Sequence, residues 1–446
     1  MGTLITISQF ILALAILVTL HELGHYLAAR AFGIRVEKFY LFFDAFGFKL
    51  FKFKKGDTEY GIGWLPLGGY VKISGMIDES LDSKQLASAP EKWEFRSKPA
   101  WQRLIVMIGG VTVNLILGIG IFIALLWSYG ESYIPNKIVN EMGGIYASPD
   151  ARKMGLQNGD KIISLNGKVV TDLTGDFGDP DFLMSKEKNV LVNRKGKDTT
   201  ISLPQHIENY LGKDKLPLVE LPYLFKIGAI TGGSNAQKAG LQAGDMIAEV
   251  NGKDSRVFYV FKEYLLENKG KEILLTVVTT KDGVKKMKAN VEKDGTLGFQ
   301  PETFGFEGKE VKIDYTLGQS ITHGTAKSMG ALGANIKAFG KVFTGEMSAK
   351  KSLGGPITIA KMFGAHWIWF KFWTLTAMLS LVLAFMNILP IPALDGGHVM
   401  FLLYEIITRR PVNEKVLYVG QIVGMVLLAS LMVFIFWVDI ARLFGM

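Results

Sequence analysis

The stretch "TLHELGHYLAAR", residues 19–30, places two histidines and a glutamate directly after a run without charged residues, 1–20. In a helix, His21 and His25 lie one turn apart on the same face, so both imidazoles can reach one metal ion. Glu22 lies on the adjoining face, where its carboxylate can hold and deprotonate a water on that metal. Because uncompensated ionisable groups are costly in hydrocarbon, this H-E-x-x-H pattern predicts a zinc-hydrolase site rather than a helix with interfacial polar groups.

The composition indicates a membrane protein. The chain has 446 residues, 49% of them hydrophobic, and its mean hydropathy is +0.24. Four apolar runs are long enough to cross roughly 30 Å of hydrocarbon. The first is not a removable signal peptide, because it lacks a basic beginning and carries the metal motif. We therefore predict an α-helical polytopic membrane protein with four transmembrane helices, at about Leu4–Ala29, Leu104–Trp127, Phe372–Pro392 and Val416–Val438.

The net charge of +9 is informative by position. Basic residues concentrate in the link between the first and second spans and in the short link between the third and fourth. The positive-inside rule places both links in the cytoplasm and both termini outside. No basic–aromatic motif supports nucleic-acid binding. The basic residues of the two links are Arg30, Arg35, Lys38, Lys49, Lys52, Lys54, Lys55, Lys72, Lys84, Lys92, Arg96, Lys98 and Arg103, followed by Arg409, Arg410 and Lys415.

Two histidines need a third protein ligand, with the fourth position left open for water. The chain contains no cysteine, so this ligand must be His, Asp or Glu. The first and third spans run in the same direction, and the third ends in "FMNILPIPALDGGHVM", residues 385–400. Asp395 therefore arrives at a depth similar to that of His21. Pro390 and Pro392 cannot continue a helix, and broken helices at membrane depth occur where the backbone is buried or lines a cavity.

Two alternatives remain open for this segment. Asp395 can instead be the N-cap of a helix that begins near Gly396, a role that is compatible with metal binding. His398 is a second candidate for the third ligand.

Together, "HELGH" (21–25) and "NILPIPALDGG" (387–397) resemble the bacterial branch of the site-2 protease family, which are intramembrane zinc metalloproteases. The resemblance covers nearly the whole chain. It implies that His21, His25 and Asp395 bind Zn²⁺ and that Glu22 is the catalytic base. It also implies that Asn387 helps to bind substrate.

Residues 47–76, "GFKLFKFKKGDTEYGIGWLPLGGYVKISGM", alternate in polarity around turn residues, which predicts strands joined by a turn. By resemblance, region 40–77 is a membrane-associated β-hairpin beside the zinc; an ordinary soluble hairpin is the alternative. An exposed strand edge can pair with an extended substrate through main-chain bonds. We therefore expect substrate contacts at Tyr60, Gly61, Ile62, Gly63 and Trp64.

The second span contains "IGGVTVNLILGIG", residues 108–120. Its small residues permit close helix packing in lipid. Asn114 should face the helix bundle or the site rather than lipid. A packing role and a substrate contact are both open for this residue.

Residues 151–168 and 236–253 are a repeat at an offset of 85 residues, with 11 identities in 18 positions. The pattern resembles PDZ domains, which we expect as two PDZ-like α+β domains at 128–220 and 221–305, inserted between the second and third spans. Such modules add a peptide strand to a sheet edge and often capture a terminal carboxylate. They can therefore bind peptide termini produced by an earlier cut, or stand over the site and exclude substrates with large external domains.

Residues 306–371 are expected to be an amphipathic helical connector. Apolar residues recur three or four apart over 315–345, which predicts a helix that lies on the outer membrane–water interface or braces the PDZ pair. "SLGGPITIA" (352–360) resembles a family motif without a role that the residues explain.

The predicted organisation has a membrane catalytic core in two halves, 1–127 and 372–446. The expected function is an intramembrane zinc endopeptidase that cleaves transmembrane segments of single-span proteins. The resemblance implies a pre-trimmed anti-sigma factor of the envelope-stress response as substrate, with remnant signal peptides as further candidates. It also implies a multi-pass bacterial inner-membrane protein, with the active site near the cytoplasmic side and with periplasmic PDZ domains and termini. The alternative is a membrane-anchored PDZ adaptor with a structural or inactive metal site.

Overall fold

The computed structural model describes residues 2–66, 68–76, 89–205, 207, 217–279, 283–345 and 354–443. The chain divides into two compact units. The membrane unit consists of Met1–Gly130 with Asp314–Met446, and the inserted unit is Glu131–Ile313. Lys84 and the beginning of the 352–360 motif lie outside the described residues.

The α-helices of the described residues are α1 Gly2–Ala31, α2 Ala100–Tyr129, α3 Asn136–Glu141, α4 Pro149–Lys153, α5 Leu173–Phe177, α6 Pro180–Met184, α7 Asn235–Lys238, α8 Phe258–Glu267, α9 Leu317–Phe343, α10 Pro356–Phe363, α11 Trp369–Ile388, α12 Asp395–Thr408 and α13 Glu414–Leu443. The strands are β1 Val36–Leu41, β2 Lys49–Lys55, β3 Thr58–Gly63, β4 Tyr70–Ile73, β5 Glu131–Tyr133, β6 Tyr146–Ala147, β7 Lys161–Leu165, β8 Lys168–Val169, β9 Asn189–Arg194, β10 Lys197–Ser202, β11 Val219–Glu220, β12 Leu224–Ile230, β13 Met246–Val250, β14 Lys253–Asp254, β15 Glu272–Thr279, β16 Gly283–Asn290, β17 Phe299–Phe304 and β18 Val311–Ile313.

Helices α1, α2, α11 and α13 are long and apolar enough to cross a membrane, which confirms the four predicted spans. The predicted end of the third span, Pro392, was wrong. Helix α11 already ends at Ile388, and Leu389 is extended, with φ −60° and ψ 143°. Steric conflict with the ring of Pro390 keeps its preceding residue out of the helical region, so apolar character continues past the point where the helix stops.

Helices α1 and α2 cross with their backbones in contact. A Cβ added to Gly24 would lie 2.3 Å from the Gly109 carbonyl oxygen, and one added to Gly109 would lie 2.7 Å from the Gly24 oxygen. Residues larger than glycine would separate the two helices at this level. Small residues at an interhelical contact are the usual solution in lipid, as the composition of the second span predicts.

The sheet of the membrane unit has the strand order β2-β3-β1-β4. Strands β2 and β3 form the predicted hairpin, which turns at Gly56 with φ +62°. Strand β1 then pairs in parallel with β3 and antiparallel with β4. Among the described residues, β3 is therefore an interior strand, whereas β2 and β4 are the outer strands.

Helix α9 confirms the helix predicted over 315–345, and Thr316 forms a capping box at its beginning. Gly324 packs on Ile123 of α2, and the Phe339 ring lies 5.6 Å from the Phe385 ring of α11. Because Ile123 and Phe385 lie near the C-terminal ends of two antiparallel helices, α9 follows the length of the spans. This course does not fit a helix lying flat on the outer interface.

The segment 354–360 receives its partner from α13. The Asp439 carboxylate accepts hydrogen bonds from the backbone N–H groups of Gly355, Ile357 and Thr358, at 2.9–3.2 Å, and from the Thr358 hydroxyl at 2.6 Å. A Cβ on Gly355 would come 2.4 Å from the carboxylate. The Gly-Pro sequence thus begins α10 at an anion supplied by the fourth span, because the first N–H groups of a helix favour negative charge.

The inserted unit contains the repeat as two four-stranded sheets, ordered β10-β9-β7-β8 and β14-β13-β15-β16. Asn166 and Asn251 occupy equivalent hairpin turns, with φ of 49° and 50°. Each side-chain oxygen accepts a backbone N–H of the third strand, from Asn189 and Leu274, at 2.8 Å. The duplication predicted from the sequence is therefore a duplication of local structure.

A buried carboxylate joins the two halves of the inserted unit. Glu263 of α8 is 7% exposed and pairs with Arg152 of α4. It also accepts a hydrogen bond from the Tyr146 hydroxyl at 3.2 Å. Burial and the neighbouring carboxylate raise the pKa of Tyr146, so the phenol remains a donor at neutral pH.

Candidate metal centre

Three ligand atoms from two distant segments meet beside the crossing of α1 and α2. The Asp395 Oδ2 atom lies 3.2 Å from His21 Nε2 and 3.3 Å from His25 Nε2. The two Nε2 atoms are 3.3 Å apart. We call these three atoms the ligand triangle.

The ligand triangle has the dimensions of a tetrahedral zinc site. Metal–ligand bonds of about 2.0 Å place the corners of a tetrahedron about 3.3 Å apart, as all three edges are here. Asp395 Oδ2 is buried and has no hydrogen-bond partner among the described residues. A buried carboxylate oxygen without a donor is costly, and a cation equidistant from the three atoms would satisfy it.

Helix α12 brings Asp395 to this position. The loop after α11 contains Ala393 in the left-handed region, with φ +78°. A Cβ on Gly396 would lie 2.1 Å from the Leu389 oxygen, and one on Gly397 would lie 2.6 Å from the Ile391 oxygen. The sequence Asp-Gly-Gly therefore lets the new helix begin directly against its own loop.

The geometry supports neither of the two alternatives for this segment. The N-cap of α12 is Leu394, and no side chain caps the helix, so the alternative N-cap role of Asp395 is wrong. His398 lines the same cavity. However, its ring is not in the group of described ligand atoms that lie within 4.8 Å of one another, which is His21, His25 and Asp395.

A main-chain group orients one of the imidazoles. His25 Nδ1 lies 2.8 Å from the Val106 carbonyl oxygen of α2. An N–H at Nδ1 donates to that oxygen and leaves the lone pair of Nε2 facing the ligand triangle. Metal-binding histidines nearly always have such a partner on the second nitrogen. No sequence signal marks Val106, because a carbonyl oxygen is present in every residue.

The ligand triangle opens into a cavity of about 580 Å³. Glu22 and Asn387 line it, and the Asn387 amide nitrogen lies 3.3 Å from His21 Nε2. All of β4 lines it as well. Gly69 lets the sheet approach α1, since a Cβ there would come 2.7 Å from Val18 Cγ1.

Strand β3 contains four of the five residues expected to contact substrate, and Trp64 follows it directly; this segment is placed differently. None of the described residues that line the cavity belongs to β3. The Tyr60 hydroxyl is hydrogen-bonded to that of Tyr26 at 2.7 Å, and the Trp64 indole donates to the Ala45 oxygen at 2.8 Å. Gly61 and Gly63 pack on the Tyr40 ring and on the Phe43 backbone. Ile62 is 36% exposed but does not line the cavity.

Sequence reasoning missed a position that gives the metal ligands room. A Cβ on Gly110 of α2 would lie 2.4 Å from His25 Nε2 and 2.6 Å from His21 Cε1. Only the glycine hydrogen fits between α2 and the two imidazoles. The "GG" at 109–110 was visible as a packing signal, but its link to the histidines is a three-dimensional one.

Comparisons with known proteins agree with this geometry. The family model described as Peptidase family M50 matches residues 9–431. A protein of Neisseria meningitidis named as a zinc metalloprotease is 29% identical over 99% of this chain and 100% of its own length. The regulator of sigma-E protease RseP of Escherichia coli is 28% identical over 98% of both chains. The regulator of sigma E protease of Haemophilus influenzae is 28% identical over 99% of this chain and 100% of its own. The resemblance predicted from the two motifs is thereby confirmed.

We expect Gly110→Ala to lose zinc, because the new methyl group overlaps the space of both imidazoles. The affinity should fall at least roughly 100-fold, since ligand geometry must hold to within about 0.5 Å. Zinc per chain after dialysis against a competing chelator measures the effect. Gly120→Ala is the matched control, because a Cβ there meets nothing within 4 Å. Wild-type zinc retention by the Gly110 variant would contradict this account of the site.

Proposed function

The chain belongs to peptidase family M50 and is a zinc metalloprotease with four helices suited to crossing a membrane, and from that premise we propose that it hydrolyses peptide bonds within transmembrane segments. In this proposal, His21, His25 and Asp395 bind the zinc and Glu22 is the catalytic base. The observation that carries it is the ligand triangle, which opens into the cavity that Glu22 lines.

Zinc, when bound, supplies Lewis-acid chemistry that acidifies water and polarises a carbonyl group. The Glu22 carboxylate takes the proton from the attacking water and then passes it to the leaving amide nitrogen. Val106 holds the His25 ring through the 2.8 Å contact at Nδ1. The Asn387 carboxamide, close to the ligand triangle, can hydrogen-bond the carbonyl or the amide of a bound peptide.

We infer that substrate is bound as an extended strand at β4. Helical peptide bonds are hydrogen-bonded within the helix, so the segment must be extended before its carbonyl can be attacked. Strand β4 lines the cavity and pairs on one side with β1. Its other edge has no strand partner among the described residues, whereas β3 already has partners on both edges. Main-chain pairing accepts many side chains, which suits a protease acting on varied apolar sequences.

A cysteine cross-linking experiment distinguishes the two strands. In a Glu22→Gln background, which keeps substrate uncut, Lys72→Cys on β4 should form a disulfide with a cysteine near the cut site of a transmembrane reporter. Ile62→Cys on β3 is the control and should react weakly. The chain has no cysteine of its own, so each product is unambiguous. Equal cross-linking from both positions would exclude β4 as the specific docking edge.

The proposed setting is the bacterial inner membrane, with both termini and the inserted unit in the periplasm and the metal centre near the cytoplasmic side. The support is the concentration of lysine and arginine in the two links, between the first and second spans and between the third and fourth. Residues Lys168 and Lys253 of the inserted unit and Lys92 of the first link are all exposed.

Labelling tests this orientation. In intact spheroplasts, single cysteines at Lys168 and Lys253 should react with a membrane-impermeant maleimide, while one at Lys92 should react only after lysis. Labelling of Lys92→Cys alone from outside would reverse the topology. Each variant must first retain wild-type cleavage of the reporter, so that only folded protein is compared.

We also propose PDZ-like roles for the two repeats of the inserted unit, with size filtering favoured over capture of peptide termini. The substrates would then be single-span proteins already trimmed outside the membrane. The relatives from Escherichia coli and Haemophilus influenzae are named as regulators of sigma-E. An anti-sigma factor of an envelope-stress response is therefore the first substrate to test, followed by remnant signal peptides.

Replacement of Glu22 separates a protease from an adaptor. Glu22→Gln should lower cleavage of a transmembrane reporter by at least about 100-fold, the usual effect of removing a general base. Its zinc content should stay near one per chain, because Glu22 lies outside the ligand triangle. The exposed Glu91→Gln serves as control and should cut normally. If Glu22→Gln cut at the wild-type rate, the hydrolytic mechanism would be wrong and an adaptor with a structural metal would gain support.

A further inference from the structure

We propose that Asn114 is a positioning residue for the metal centre, whose side-chain oxygen accepts the Nδ1–H of His21. This hydrogen bond fixes the tautomer in which Nε2 faces the zinc. The inference deepens the proposed function, because it rests on His21 being a ligand. It assigns Asn114 to the metal rather than to packing or to substrate.

The contact is direct and buried. Asn114 lies on α2 and is completely inaccessible to solvent. Its side-chain nitrogen is 3.3 Å from His21 Nδ1, while its Oδ1 has no hydrogen-bond partner among the described residues. The oxygen and nitrogen of a carboxamide exchange places on rotation by half a turn, and the hydrogen bonds decide which arrangement holds.

Zinc binding by His21 determines which way the Asn114 carboxamide is turned. When Nε2 gives its lone pair to a metal, the proton of a neutral imidazole lies on Nδ1, and this N–H needs an acceptor. With the Asn114 oxygen turned toward His21, that oxygen accepts the imidazole N–H, and the amide nitrogen moves to the position that the oxygen had occupied. An unsatisfied pair in a buried, apolar setting would be costly.

The two histidines are then treated alike by α2. His25 has the Val106 carbonyl oxygen at its Nδ1, and His21 has Asn114, eight residues and about two turns further along α2. One acceptor is main-chain and the other is a side chain. The acceptor for His21 must come from a side chain that has one, which explains why Asn114 lies in a mostly apolar span.

Packing is served by another part of Asn114. Its main-chain carbonyl oxygen accepts a hydrogen bond from the Ser380 hydroxyl of α11, at 2.6 Å. This contact joins α2 to α11 and needs no carboxamide. The side chain instead meets Nδ1 of His21, whereas Nε2 of that ring faces Asp395. Asn114 is also among the residues that line the cavity, so the substitutions below must separate the two roles.

Two substitutions separate acceptor from volume. Asn114→Leu keeps the size but removes the acceptor, and we expect zinc affinity to fall 10- to 100-fold, as for other partners of ligating histidines. Asn114→Asp keeps the acceptor and should remain near wild type. Zinc transfer to a competing chelator, measured on the purified full chain, gives both values. Ser380→Ala is the control for the adjacent contact and should keep wild-type affinity.

The opposite pattern would overturn the proposal. If Asn114→Leu held zinc as tightly as wild type, or if both Asn114 variants lost it equally, the role would be one of packing. His21→Ala tests the premise separately. Retention of zinc by that variant would show that His21 is not a ligand, and the proposed function would lose its basis. If His21→Ala loses zinc but Asn114→Leu keeps it, only the role of Asn114 is refuted.

A spectroscopic measurement on the unaltered sequence does not depend on the folding of any variant. In the cobalt-substituted protein, the Nδ1–H protons of both ligating histidines should give paramagnetically shifted resonances that exchange slowly with solvent, because each is hydrogen-bonded and buried. Two such signals are expected. A single slow signal would mean that His21 lacks its acceptor and would refute the proposal.

Discussion

The structure depends on bringing one carboxylate to two imidazoles that stand far away in the sequence. Asp395 lies within 3.3 Å of both His21 and His25, and a buried carboxylate without a compensating cation would be expensive. The membrane unit is arranged around that demand. Helix α11 must stop at Ile388, turn through a proline-rich loop and restart at Asp395. A continuous third span would carry the carboxylate past the histidines.

The proposed metal centre needs positions without side chains as much as it needs its three ligands. Gly24 and Gly109 let the backbones of α1 and α2 touch, and Gly110 leaves the volume that the two imidazoles fill. The same closeness brings Val106 and Asn114 to the far nitrogens of the rings. Helix α2 thus forms a wall that both spaces and orients the ligands, although it contributes none itself. A site tolerant of larger residues here would lose the tight helix crossing and the hydrogen bonds together.

Local periodicity allowed part of this to be predicted. Two histidines four residues apart must share a helix face, and an alternating run such as 49–55 must form a strand, so α1 and the β2–β3 hairpin followed directly from the sequence. The order of the strands could not be predicted in this way, because alternating polarity does not indicate which strands pair with each other. Strand β1 inserts beside β3, which closes the edge where substrate was expected and leaves β4 at the cavity. The role of Asn114 was hidden for a similar reason, since its partner lies 93 residues earlier.

The position of the sheet also explains how water and a polar peptide backbone can reach a site among apolar helices. Lys38, Asp44 and Tyr70 line the cavity together with the ligand triangle. The Tyr70 hydroxyl donates to Asp44 at 2.9 Å, and burial raises the pKa of this phenol, so it stays protonated and keeps its bond. A fixed polar lining of this kind favours hydration on the sheet side of the cavity. If substrate binds at β4 as proposed, the outer strand of the described sheet is also the element that lets water approach, and extension of the substrate and its hydrolysis can occur at one place.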